Sequence, residues 1–156
     1  MSGFIEEAFR HWERIRGGEA VPRRARLDPV DIPNLLSRTI LVDVLSDPLD
    51  FRYRLVGTWM RSLGDRDLTG LRFSEIPRIA RGGRLWSDHE AVVRTLAPVV
   101  NVVDYEGGGD GVGSLWHALF PLTTDGRGVD KIWCVGEAVS SRHRDFAGMR
   151  FSRKAG

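Results

Sequence analysis

Between Phe51 and Gly70 the chain reads FRYRLVGTWMRSLGDRDLTG, and this stretch organises what surrounds it. Phe51, Tyr53 and Leu55 alternate with Arg52 and Arg54, the period of two that marks a half-buried strand. Gly57 follows, where the backbone turns and a side chain would clash. Thr58 is placed to cap the helix that comes next, and Trp59, Met60 and Leu63 give that helix an apolar side. Gly64 fits the position just past its end. Asp67, Leu68, Thr69 and Gly70 make a second turn, and Phe73 begins another short helical piece. The sequence is strand, sharp turn, short helix, turn.

The elements on either side are simpler. Ile5, Ala8, Phe9, Trp12 and Ile15 recur at helical spacing among Glu6, Glu7, Arg10, Glu13 and Arg14, which predicts an amphipathic helix ending at Gly17 and Gly18. Pro29 and Pro33 allow only a short helix around Ile32 to Ser37. Thr39 to Leu45 reads as a strand, and Asp47 and Pro48 turn it into the strand at Phe51. Leu85, His89, Val92, Val93 and Leu96 form one stripe of a longer helix that Pro98 stops. Three strands follow, at Val99 to Tyr105, Leu115 to Leu122 and Lys131 to Ser140, with a glycine-rich hairpin loop at Gly107 to Gly113 and a turn at Asp125 and Gly126. On the fourth strand Trp116 shares a face with Ala118 and Phe120, and His117 shares the other with Leu115 and Leu119. Both faces are apolar, so the sheet needs cover on both sides.

Four short segments, in their order and spacing, resemble the PAS domain superfamily, and within it a bacterial group of mostly stand-alone PAS-like proteins. They are Trp12 on the first helix, Pro22-Arg23-Arg24, Arg54-Leu55-Val56-Gly57-Thr58 at the end of a strand, and Leu68-Thr69-Gly70. The resemblance spans roughly residues 5 to 140. It implies an α+β fold: a five-stranded antiparallel sheet in the order 2-1-5-4-3, helices across one face, and an N-terminal helix as an extension. On this reading residues 1-30 are helix and linker, 31-141 the PAS-like domain and 142-156 a basic tail. The superfamily holds ligands or cofactors between helices and sheet. Tyr53, Leu55, Trp86 and His89 are expected to line that space, with Tyr53 and His89 supplying its polar groups.

Composition narrows the function. The 156 residues fit one domain, and 23 basic against 21 acidic residues leave a formal charge of only +2. Arg23, Arg24 and Arg26 cluster, but no aromatic is interleaved and Asp28 and Asp31 follow, so a solvated or salt-bridged loop is expected rather than a nucleic-acid surface. A single cysteine fits a reducing compartment, and no stretch approaches the roughly 20 apolar residues of a membrane span. A cytoplasmic protein is expected.

The resemblance implies a non-catalytic sensory or regulatory domain in bacterial signalling. It would act by binding a small ligand or by docking, with a separate signalling protein as its output. A haem ligated by His89, as in haem-binding relatives, is disfavoured because a lone histidine on an apolar stripe is more simply a core residue. Flavin is disfavoured because the helix after the second strand lacks the Asn-Cys-Arg type of motif, and Cys134 reads as a small buried apolar residue. The run Gly107-Gly108-Gly109 lacks the Gly-Lys-Ser/Thr of a phosphate loop. The alternative is a small-molecule enzyme of the conical α+β, ketosteroid-isomerase-like type, in which His117 and Asp104 face each other. Arg54, on the polar side of its strand, is expected to pair with Asp65 or Asp67. The stripe of Ile5, Phe9, Trp12 and Ile15 needs a partner surface, and a homodimer contact centred on Trp12 is expected.

Overall fold

The computed structural model describes residues 3–64, 66–106 and 112–139. The loop expected at Gly107 to Gly113 falls mostly outside them, as do Asp65 and the basic tail. Helix α1 (Phe4–Arg16) leads through short 3-10 turns at Arg24–Arg26, Pro29–Asp31 and Leu36–Arg38 into strands β1 (Thr39–Leu45) and β2 (Asp50–Val56). Helix α2 (Thr58–Ser62), a 3-10 turn at Phe73–Glu75 and helix α3 (Arg84–Thr95) follow. Strands β3 (Val99–Glu106), β4 (Val112–Leu122) and β5 (Lys131–Ala138) complete the order. All four strand pairings are antiparallel and the sheet runs β2-β1-β5-β4-β3, with β1 internal, as expected.

Alternation along the strands sends side chains to two separate cores. Leu41, Val100, Trp116, Ala118, Phe120, Trp133 and Val135 face outward and are covered by α1, through Ile5, Ala8 and Trp12, and by Leu27, Ile32 and Leu35 of the linker. Val42, Phe51, Tyr53, Val99, Leu119, Ile132 and Cys134 face inward, toward Phe73, Ile76, Trp86 and Val92. The expectation that both faces are covered therefore holds, and the N-terminal helix forms the outer cover.

Two local features explain the stretch from Phe51 to Gly70. Gly57 stands at the N-cap of α2 with an ordinary φ of −64°, so it is not chosen for backbone freedom. A Cβ there would lie 2.5 Å from the carbonyl oxygens of Leu36 and Ser37, so only glycine lets the turn pass under the preceding segment. Thr58 is the first helical residue rather than the cap. Gly70, at φ +90°, donates its N–H to the Tyr53 carbonyl at 2.7 Å, and Tyr53 N–H donates to the Leu71 carbonyl at 3.0 Å. The Leu68-Thr69-Gly70 turn thus covers the edge that β2 would otherwise expose.

Pairing between β1 and β2 slips by one residue. Leu41 sits opposite Leu55 and Val42 opposite Tyr53, so Arg54 is the extra residue of a bulge. Arg54 does not pair with Asp67, which meets Arg61 instead at 3.9 Å, while Asp65 lies outside the described residues. The Arg54 guanidinium reaches Asp43 of β1 at 3.7 Å. Asp43, nearly buried, also receives Arg52 at 3.3 Å and Lys131 at 2.9 Å. Burial pushes the Asp43 carboxyl up, but these three cations outweigh it and hold the carboxyl below its ordinary value. The basic cluster before β1 is a salt-bridged loop, with Arg23 and Arg26 both meeting Glu19.

Candidate functional site

Helices α2 and α3 and the segment leading into α3 stand off the inner face of the sheet. They leave a cavity of about 310 Å³, near the lower end of the ~300–1,000 Å³ typical of small-molecule sites. Its walls are mainly apolar, with Ile40, Val42, Leu85, Val103 and Leu115 prominent. The sheet supplies one wall because β1, β4 and β5 alternate apolar residues inward. Gly136 on β5 leaves room for Met60 of α2, whose sulfur would collide with a Cβ at that position, so Met60 closes one side.

Polar groups reach this space from three elements. Tyr53 of β2 is 8% exposed, lines the cavity, and its hydroxyl has no hydrogen-bond partner among the described residues. Burial, helped by Cys134, pushes its ionisation well above the ordinary tyrosine range, against a smaller opposing effect of Arg78. His89 of α3 is 2% exposed, and its Nδ1 donates to the Leu85 carbonyl one turn back at 2.8 Å. Burial lowers its pKa to about 3, so at neutral pH the ring is uncharged and Nε2 is an acceptor. Burial also pushes the Cys134 thiol up to about 12, which keeps it protonated and leaves no thiolate nucleophile. Arg78 and Arg84 stand at the rim, both exposed.

Of the four residues expected at the cavity, Tyr53 and His89 line it, and Leu55 and Trp86 do not. The bulge is the reason for Leu55. Beyond Arg54 the alternation of β2 is reversed, so Leu55 follows Leu41 to the outer side and is 44% exposed, while Val56 packs inward. Trp86 is 1% exposed and fills the inner core beside the cavity. Its ring lies 5.5 Å from Phe51 and 5.9 Å from Phe73, with the Arg81 guanidinium 4.4 Å from its centre. Sequence reading missed Met60, Arg78, Arg84, His117 and Cys134. The last two stand on the inward-alternating positions of their strands and were legible there.

His117 and Asp104 do not face each other. His117 sits opposite Asn101, and Asp104 pairs with Ser114 at the surface. The buried partner of His117 is Asp88 of α3, whose carboxylate takes Nε2 at 3.0 Å and also accepts from Asn101 Nδ2 at 3.0 Å. This trio ties α3 to β3 and β4, and of its three members His117 lines the cavity. Among the described residues, no group of three His, Cys, Asp or Glu side chains could hold a metal ion.

A chain of contacts leads from the cavity to the outer helix. Trp59, next to Met60 on α2, stacks on the Arg38 guanidinium at 4.0 Å, and Phe4 of α1 stacks on the same guanidinium at 3.7 Å. Arg38 also donates to the Gly136 carbonyl at 3.3 Å, and the adjacent Glu137 carboxylate accepts from Ile5 N–H at 3.1 Å, capping α1. The residues expected at a dimer contact divide. Ile5 and Trp12 are buried against the chain's own sheet, and the Trp12 indole donates to the Pro121 carbonyl at 3.0 Å. Phe9, 4.9 Å from Phe120, and Ile15 remain half-buried. Trp12 therefore has no free face to place at the centre of a contact with a second copy.

A family model described as PAS domain matches residues 3–133. No curated protein matches the chain. No helix among the described residues is long and apolar enough to cross a membrane.

Proposed function

Because the chain belongs to the PAS domain family, we propose that it is a non-catalytic sensory domain that holds a small molecule between α3 and the sheet. Family membership supports a signalling role of a general kind. The observation that carries the ligand reading is the cavity itself, about 310 Å³ of mainly apolar space lined in part by Tyr53, whose hydroxyl has no partner among the described residues. The neutral Nε2 acceptor of His89 and the unused donor of Tyr53 give such a site a small complementary set, which orients a ligand without binding it covalently.

The output route runs from Met60 through Trp59, Arg38 and Phe4 to α1. A ligand that displaces Met60 would shift α2, and the stacked guanidinium would pass that shift to the outer helix. The receiver is a separate signalling protein or a second copy meeting the half-buried Phe9 and Ile15. The buried, free cysteine suits a role in bacterial cytoplasmic signalling.

Native mass spectrometry of the purified protein tests the ligand reading. The wild type is expected to retain or take up one small molecule per chain from a mixture of small apolar compounds. Leu115→Trp, which fills the cavity from β4, is expected to take up none, with Leu115→Phe as the milder replacement if the larger one unfolds the chain. Equal behaviour of wild type and a folded, filled variant would leave a docking domain without a ligand.

A further inference from the structure

The rim of the cavity differs in charge from its interior, and that difference bears on the class of ligand. Tyr53, His89 and Cys134 all reach the interior uncharged, so an ionic group placed among them would lose its hydration and gain only neutral partners. The buried carboxylate of Asp88 is already held by His117 and Asn101. Arg78 and Arg84 at the rim make no ion pair or hydrogen bond with any described residue. Most other arginines near this end of the sheet are committed: Arg52 and Arg54 to Asp43, Arg61 to Asp67, and Arg72 to Glu75. Arg84 is also the first residue of the twelve-residue α3, whose cap, Gly83, lines the cavity and offers no side-chain acceptor to the first amides of the helix. Free guanidinium forks and uncapped amides at one rim both favour an anion.

We infer that the cavity takes an amphipathic carboxylate, its compact apolar body among Val42, Leu85, Val103 and Leu115 and its head group at the rim between Arg78 and Arg84. Tyr53 then serves a polar atom along the body, or a water beside it. The inference rests on the ligand reading above. It adds that the ligand is anionic at one end only.

Titration calorimetry with two probes of equal length, octanoate and octanol, separates the two claims. The ligand reading alone requires that at least one of them bind. The inference requires octanoate to bind more tightly than octanol by roughly tenfold or more, since charge-assisted bonds are the strong ones. It further requires that added salt weaken octanoate only, and that the double variant Arg78→Gln, Arg84→Gln abolish the preference while still binding octanol. Octanol binding as tightly as octanoate, or a preference that survives in the double variant, would overturn the anionic head group and leave the cavity reading standing. Failure of both probes to bind the wild type would overturn both.

Discussion

Replacing Gly57 by alanine is expected to lower stability by about 3 kcal/mol or more, at the upper end of what overpacking costs. The Cβ would lie 2.5 Å from two carbonyl oxygens, those of Leu36 and Ser37. These are backbone atoms and have no rotamer through which to escape. The segment carrying them is pinned on both sides. The Thr39 hydroxyl donates to the Leu35 carbonyl at 2.8 Å, and Gly57 N–H itself donates to the Thr39 carbonyl at 2.7 Å. Relief of the clash must therefore separate α2 from the start of β1. In thermal unfolding the loss corresponds to roughly 6–12 °C for a chain of this length. Gly18→Ala is the matched control, because no atom lies within 4 Å of its Cβ position. It should change stability by no more than about 0.5 kcal/mol. Equal effects at the two glycines would show that the close approach under Gly57 is not a constraint.

Trp12→Ala is expected to cost about 3–5 kcal/mol, the range for removing a large aromatic from a packed core. The indole is 4% exposed, lies 6.1 Å from the Phe120 ring and donates to the Pro121 carbonyl. Its removal leaves a cavity under α1 and an acceptor on β4 without its donor. Because this burial is complete within one chain, the loss should be the same at low and high protein concentration in denaturant unfolding. A loss that appears only at concentrations where copies associate would mean that Trp12 is buried between chains instead. Half-buried Phe9 and Ile15 carry less of this energy. A substitution there that alters association without altering the unfolding midpoint would support a second copy on α1.

The order of elements and the sheet topology were legible because each strand and helix keeps its period, and because the Leu-Val-Gly-Thr and Leu-Thr-Gly segments mark the turns that the fold needs. The cavity was legible only where that period is unbroken. Tyr53 lies before the bulge and points as alternation predicts. Leu55 lies one residue beyond it and points the other way, and nothing in the residues FRYRLV announces an extra residue at Arg54. The same bulge sends Arg54 to Asp43, a partner on the neighbouring strand that sequence proximity to Asp65 and Asp67 concealed. Alternation put His117 on one face with Leu115 and Leu119 without saying which face is inward, and its partner depended on how α3 crosses the sheet, a crossing that spacing along the chain does not encode. Arg78 and Met60 stand in an irregular segment and a five-residue helix, where no periodicity tells inside from outside.

The fold and the proposed activity meet at α2. This helix is short, it closes the cavity with Met60, and it touches the outer layer through Trp59 and Arg38. A sensory role requires that a ligand inside be felt there. The chain has three methionines, and among the described residues Met60 stands on the cavity wall, so a methyl label on methionine gives few signals and one of them reports on this contact. The direct test is a titration of octanol or octanoate into protein carrying 13C-methyl methionine, followed by NMR. The Met60 methyl signal is expected to move and to saturate with added ligand. A Met60 signal that stays in place while ligand is bound would contradict the cavity as the sensing site.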